Sequence, residues 1–347
     1  MAERGKLVAL LPAGVAIAFA GVVTALLLAL GGFSPFLAAR ALLGGAFGSV
    51  DAVLSFTLVS SVPLILAGLA VALAFRAGVW NIGAEGQLYA GAIAAVWVGL
   101  TFTALPALVL IPLVLVSAAV AGAVWAAVPA FMKLRLGVGE VITTILMNFV
   151  GIYAAAYAVH GPLQEARGVF PQTDQIAEAA RLPILVGGST LHAGFALALV
   201  ISGLLALLFR RSRLGFQIRA VGASREAARI SGRIDTGRVV LVSFLASGAI
   251  AGLAGGVEVA GVTYALYEGL SPGWGYTAIA VALLAGLDPV AVVLAGVLFG
   301  ALDAGAGAMQ RDAGIPAVWV GVVEALIILV MLAVDQLRKR GWRYGRV

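Results

Sequence analysis

The chain has 347 residues, 62% of them hydrophobic and 11% charged, with 22 Lys and Arg against 16 Asp and Glu. Soluble domains sit near one half apolar and one quarter charged, so this composition excludes a soluble globular protein and defines an all-α, polytopic membrane protein. With no cysteine and only His160 and His192, disulfides and thiolate sites are excluded and a histidine metal site is disfavoured; the net charge of +6 points to Arg-rich cytoplasmic loops and no nucleic acid.

In chain order, MAERGK precedes an apolar run from Leu7 to Leu30. Its 24 residues exceed the roughly 7–15 of a signal-peptide core, so it reads as an uncleaved first span. Further apolar segments follow at 52–75, 83–102, 105–131, 140–159, 191–209, 238–258, 274–287, 289–304 and 317–334. Crossing a bilayer takes roughly 20 residues. The segments at 274–287 and 289–304 are short and share the turn Leu287-Asp288-Pro289, which predicts a tight hairpin or a partly re-entrant pair. The 45 glycines and abundant alanine predict closely approaching helices. Together these segments read as one transmembrane domain over 1–347.

Positive charge sets the orientation. With both termini in the cytoplasm, 18 of the 22 basic residues fall inside, leaving Arg40, Arg167, Arg181 and Arg311 outside. The outer loop 160–190 carries Pro162, Pro171 and Pro183 and is predicted to be irregular or only briefly helical. The tetrapeptide AGLA recurs at 67–70 and 251–254, an expectation of an internal repeat of the kind transporters use.

Four stretches carry polar chemistry. Ala77–Ala92 places Asn81, Glu85 and Gln87 in an apolar run, with Gly78, Gly83 and Gly86 permitting a break. It reads either as a pore-lining broken helix or as an interfacial turn in which Asn81 and Glu85 cap the next span. Gly139–Tyr157 sets Thr143, Thr144, Met147, Asn148 and Gly151 at helical spacing, a polar stripe for a path or for interhelical hydrogen bonds. Glu258–Tyr276 gathers Tyr264, Tyr267, Trp274 and Tyr276, either interface anchors or a stacking surface for a ring-bearing solute. Asn81, Glu85, Thr144, Asn148 and Tyr276 are the candidate lining of a translocation path.

The fourth stretch is the loop 210–238, which holds eight arginines. Ser224 can cap a short helix with Glu226 in its first turn and Gly232 at its end. Arg219, Ser224, Arg225, Glu226, Ala227, Ala228, Arg229 and Gly232 then form a small apolar knob among arginines, suited to a groove on a cytoplasmic partner. The competing reading is a basic loop anchored to anionic membrane lipid.

Absences narrow the class. There is no GxxxxGK[ST], so the chain lacks a P-loop for ATP, and HExxH and DDxxD are missing too. An ion-coupled secondary transporter using Glu85, Glu258 and Asp303, or a scaffold without transport, are the rival classes.

Four segments resemble the permease subunits of bacterial ATP-binding-cassette importers, in the group that serves branched-chain amino acids, simple sugars and nucleosides. They are NIGAEGQLYAGA (Asn81–Ala92), GVGEVITTILMNFVGIY (Gly137–Tyr153), GFQIRAVGASREAARISGRI (Gly215–Ile234) and GYTAIAVALLAGLDPVAVVLAGVLFGAL (Gly275–Leu302). NIGAEG is similar to the nucleoside-type branch, where sugar-type permeases carry an Asp-containing sequence. The resemblance implies about ten transmembrane helices in the bacterial inner membrane and a second permease subunit, as a homodimer or a heterodimer. It also implies a separate cytoplasmic ATPase that uses the ATP, an extracytoplasmic substrate-binding protein, and no cofactor on this chain. It assigns the coupling role to Ser224–Gly232, flanked by Arg219 and Arg233. The EAA-x3-G pattern matches at Glu226–Gly232, but the Ile-x-Leu-Pro of other importer permeases is absent, with Val242 and Phe244-Leu245 in its place.

Overall fold

The computed structural model describes residues 18–323, 325–326 and 329–330. The first part of the expected first span (7–17) and the basic residues at 338–346 lie outside them. The chain divides into two compact units, Met1–Ser60 with Leu298–Val347, and Ser61–Val297. Among the described residues the ordered structure is helical, with two isolated β-bridges and no strands.

In the first unit, α1 (Ala18–Leu30) turns at Gly31-Gly32 into α2 (Pro35–Phe47). Ser34 caps α2 by accepting the Leu37 N–H, and Pro35 suits the first helical position because no hydrogen bond is lost there. The sequence reading had no element here. The 13 residues of α2 are too few to span and carry Arg40 in mid-helix. A π-helical turn (Ala52–Thr57) then leads into α3 (Leu58–Arg76), and the Thr57 hydroxyl donates to the Ala46 carbonyl at 2.8 Å. Leu28, Ala38, Ala306 and Met309 form the apolar core of this unit. The described residues from 318 to 330 are helical, matching the last expected segment.

The second unit is built around α4 (Ala84–Thr101), buried over most of its length, and α10 (Thr236–Glu258), which a π-helical turn extends through Val259–Thr263. Both pack on α5 (Ala107–Leu136). Gly122 of α5 and Gly91 of α4 lie so close to Gly248 and Gly252 of α10 that a methyl group on any of them would overlap backbone. Small residues replace side-chain interdigitation where lipid supplies no hydrophobic drive between helices. On α5 the buried stripe runs Leu110, Val114, Ala118, Gly122, Ala126, Ala130, whereas Val116, Val120, Val124 and Val128 are exposed. Both faces are apolar; from Ala118 to Ala130 the inward one is small, while the outward one is branched.

α6 (Glu140–His160) and α7 (Gly194–Arg211) follow the expected segments closely. Among the described residues, six helices are long and apolar enough to cross a membrane: Ala52–Arg76, α5, α6, α7, Thr236–Thr263 and α12 (Pro289–Ala313). The segment expected at 274–287 is α11 (Trp274–Leu284), whose 11 residues reach about 16 Å and cannot cross alone. Its partner α12 runs nine residues beyond the expected end at 304. Between them Leu287 (φ 60°) and Gly286 (φ 58°) take left-handed conformations at the expected turn.

Candidate functional site

The chain breaks between α3 and α4. Gly78 (φ +70°) turns it, and residues 79–83 run without helical bonding before α4 starts at Ala84. A helix start leaves its first amides without intrahelical partners, and here side chains from elsewhere supply them. Asn81 Oδ1 accepts from Gly83 N at 3.0 Å, Thr144 Oγ1 from Ile82 N at 3.3 Å, and Asn148 Oδ1 from Gly86 N at 2.9 Å. Asn148 Nδ2 donates to the Ile82 carbonyl at 2.8 Å, so one α6 side chain holds both sides of the break. Asn81 Nδ2 also donates to Ser247 on α10 (2.9 Å), whose hydroxyl donates to the Ala70 carbonyl on α3 (2.7 Å). Gln87 completes the set by pairing with the Asn81 amide at 3.1 Å in both directions.

Glu85 works on a different helix. Its Oε2 accepts from Gly275 N at 2.6 Å, capping the start of α11. An anion is favoured there by the helix dipole. Gly275 sits directly on the Glu85 backbone, with no room for a Cβ. The N-termini of two helices, α4 and α11, therefore meet inside the second unit. Tyr89 reinforces the joint: its hydroxyl accepts from Ser271 N at 3.1 Å and reaches the Ser271 carbonyl at 3.4 Å.

Of the five expected path residues, Asn81, Glu85, Thr144 and Asn148 are buried at 0–1% exposure, with the partners given above. Tyr276 is 37% exposed, and its hydroxyl interacts with Asn148. The structure brings Glu85, Asn148 and Tyr276 together, with Asn81 and Thr144 at the break behind them. Sequence reasoning did not single out Ser247 or Tyr89; nor Trp125, whose Nε1 donates to the Met147 carbonyl at 3.2 Å.

On the outer side as read from charge, loop 161–193 is irregular with one 3-10 turn at Glu178–Ala180, as expected. It lies across the end of α10: Thr173 N donates to Leu266 O (2.8 Å), Ile176 N to Tyr264 O (2.8 Å) and Leu182 N to Ala260 O (2.8 Å). The Arg181 guanidinium covers the Tyr264 ring at 4.4 Å, a cation–π contact, and Tyr264 holds a left-handed turn (φ 56°). Hydrogen bonds from Gln172 and the Phe170 amide hold Glu165 below the usual carboxylate range. His192 precedes α7 and packs against Gly194 and Gly261; burial pushes its imidazole down to about 4.

At the opposite end, α8 (Arg213–Ala223) and α9 (Arg225–Ile230) form the arginine-rich loop. Ser224 caps α9 as expected, accepting from Ala227 N at 3.2 Å, and Gly232 (φ +67°) follows its end. Arg219, Arg225, Glu226, Ala227, Arg229 and Gly232 are exposed. Ala228 is buried within the chain, whereas Ile230 is 74% exposed, so the apolar contact that α9 presents is Ile230 with Ala227.

Long apolar helices around a polar break, with a capped basic helix outside the bundle, define a membrane transport subunit. The chain belongs to the family of branched-chain amino acid transport system permease components, which matches residues 53–332. It is similar to the glucose ABC transporter permease protein TsgB13 of Haloferax volcanii, at 40% identity over 82% of this chain and 77% of that one. It is 39% identical to the guanosine ABC transporter permease protein NupP of Bacillus subtilis over 91% of this chain and 93% of the relative. The nucleoside ABC transporter permease protein NupB of Lactococcus lactis is 34% identical over 90% and 88%. No solved structure matches the chain. The protein is thus a permease subunit of an ATP-binding-cassette importer, a multi-pass protein of the cytoplasmic membrane.

Proposed function

We propose that this permease imports nucleosides by alternating access, driven by a separate cytoplasmic ATPase that docks on α9. The observation that carries the solute assignment is the nearly end-to-end likeness to a guanosine permease, 39% over 93% of that protein. A glucose permease is equally similar in identity (40%) but over less of both chains, and it makes sugar import the second reading. The chain itself does not hydrolyse ATP, since its sequence has no P-loop. A second permease subunit and an extracytoplasmic substrate-binding protein complete the transporter.

In this reading both termini are cytoplasmic, and Tyr276 presents its ring to the passing solute. Glu85 and Asn148 stand directly behind it, and Asn81 and Thr144 hold the break on which they depend. The side chains that shape the path are those already fixed by hydrogen bonds, so the solute meets a preset surface.

Two measurements test this. Gentle detergent purification with mass spectrometry is expected to yield a stoichiometric P-loop ATPase and a second permease, with the ATPase lost on Glu226→Arg. Uptake of labelled guanosine, competed by other nucleosides and not by glucose, is expected in cells expressing the complex. Competition by glucose alone overturns the nucleoside assignment. A chain that purifies alone and moves solute on an ion gradient overturns ATPase coupling.

A further inference from the structure

The cytoplasm-side loop contains more positive charge than one short docking helix uses. A cavity of about 750 Å³ opens at the end of α7, walled by Arg210, Arg211, Arg213, Arg219 and Arg233 together with Phe216. No residue lining it is acidic. Among the described residues the ion pairs are Lys133–Glu140 and His160–Glu268, so none of these five arginines has a carboxylate partner there. The nearest acid in sequence, Asp235, is engaged as the cap of α10, accepting from Arg238 N at 3.0 Å. Guanidinium groups gathered this way repel one another unless an anion lies among them. Their planar forks suit phosphate oxygens.

Position in the fold selects the anion. Arg210 and Arg211 are the last turn of α7, and Arg233 stands three residues before α10 begins at Thr236. Both helices are long and apolar enough to span. The cavity therefore sits where two spans leave the hydrocarbon, at the level of lipid headgroups. Leu204 and Leu207 of α7 are more than half exposed, and Phe216 is 60% exposed, so acyl chains have apolar surface next to the charge. α9, with Ile230, lies further along the loop.

We propose that this cavity binds the phosphate headgroup of an anionic phospholipid, while α9 is left free for the ATPase. The proposal rests on the reading of α7 and α10 as membrane spans and adds a ligand to the loop that couples transport. Lipid bound here braces α8, which links α7 to the docking helix, so import would depend on anionic lipid.

The test uses the whole transporter complex reconstituted into vesicles of phosphatidylcholine with or without phosphatidylglycerol. Bound phospholipid is read by native mass spectrometry after detergent extraction. The unmodified complex is expected to retain phosphatidylglycerol. Arg210→Gln/Arg211→Gln/Arg213→Gln is expected to lose retention by roughly fivefold per arginine, the factor corresponding to about 1 kcal/mol each near an anionic surface, while keeping its ATPase. Loss of the ATPase with lipid retention unchanged would assign the cavity to the protein partner and overturn the proposal. A second measurement needs no variant: phosphatidylglycerol vesicles are expected to protect these arginines from phenylglyoxal where phosphatidylcholine does not. Equal protection by inorganic phosphate alone would make the site one for a free anion, and overturns the lipid. Failure of an ATPase to copurify would count against the importer reading without touching lipid retention.

Discussion

Replacing Asn148 by leucine separates two jobs that one side chain can do. A path residue would be expected to lose transport and leave assembly intact. The structure gives Asn148 two backbone partners, Gly86 N at 2.9 Å and Ile82 O at 2.8 Å, both at the break before α4 and shielded from water. Leucine satisfies neither. A buried polar group left without a partner costs about 1–3 kcal/mol, so the two together cost on the order of 2–6 kcal/mol. For a unit of this size that corresponds to a fall in melting temperature on the order of 10 °C. The assay is thermal stability of the purified complex by size-exclusion chromatography, alongside uptake corrected for folded protein. Tyr276→Phe is the control: it removes one hydroxyl from a partly exposed ring and should lower uptake with melting nearly unchanged. An Asn148→Leu protein that melts within about 2 °C of the unmodified one would refute this account of how the break is held.

Three further outcomes follow from the same geometry. Gly122→Val drives a branched side chain into the Gly248 and Gly252 backbone and is expected to abolish the monodisperse peak, whereas Val120→Leu on the exposed face of α5 should leave it in place. Ser224→Ala removes the cap on α9 and about 1 kcal/mol of helix stability; ATPase retention should weaken severalfold and be rescued by Ser224→Asp. His192, with its imidazole lowered from 6.5 to about 4 by burial, is neutral when folded and charged when unfolded between those values. Stability should therefore be full above about pH 6.5 and fall by up to about 1.4 kcal/mol per unit toward pH 4; His192→Gln should flatten that slope in a melting series.

The long helices were legible because each is a long apolar run, and α9 because Ser224, Glu226 and Gly232 stand where a helix must start and stop. The faces of the helices were not legible by hydropathy. Along α5 both the buried and the exposed stripe are apolar, and only size distinguishes Ala118, Gly122 and Ala126 from Val120, Val124 and Val128. Helix α2 was missed because its length fits neither a span nor a turn. The polar residues of 81–87 and 144–148 stood out, since each is costly in hydrocarbon. Their partners did not, because those lie far away in sequence: Asn81 meets Ser247, and Glu85 meets Gly275. Of the two readings of Ala77–Ala92, the break is present and Asn81 bonds Gly83 just before α4, but Glu85 caps α11 and not the span it begins.

That arrangement bears on the mechanism. Glu85 belongs to α4 by sequence but caps α11, and Asn148 belongs to α6 but caps α4. Each capping side chain comes from a helix other than the one it caps, so neither helix start can move without exposing polar groups. Moving α11 away from α4 would leave the Glu85 carboxylate and the Gly275 amide unpaired in a dry interior, and a hydrogen bond to a charged group contributes about 1.5–3 kcal/mol. Motion that switches access is therefore expected to carry α4, α6 and α11 together, with Tyr276 on the moving surface. Glu85→Gln, which can still accept from Gly275 N, should keep most of the uptake, whereas Glu85→Leu, which cannot, should lower melting and uptake together; unchanged melting in Glu85→Leu would refute the idea that this bond holds the two helix starts as one body.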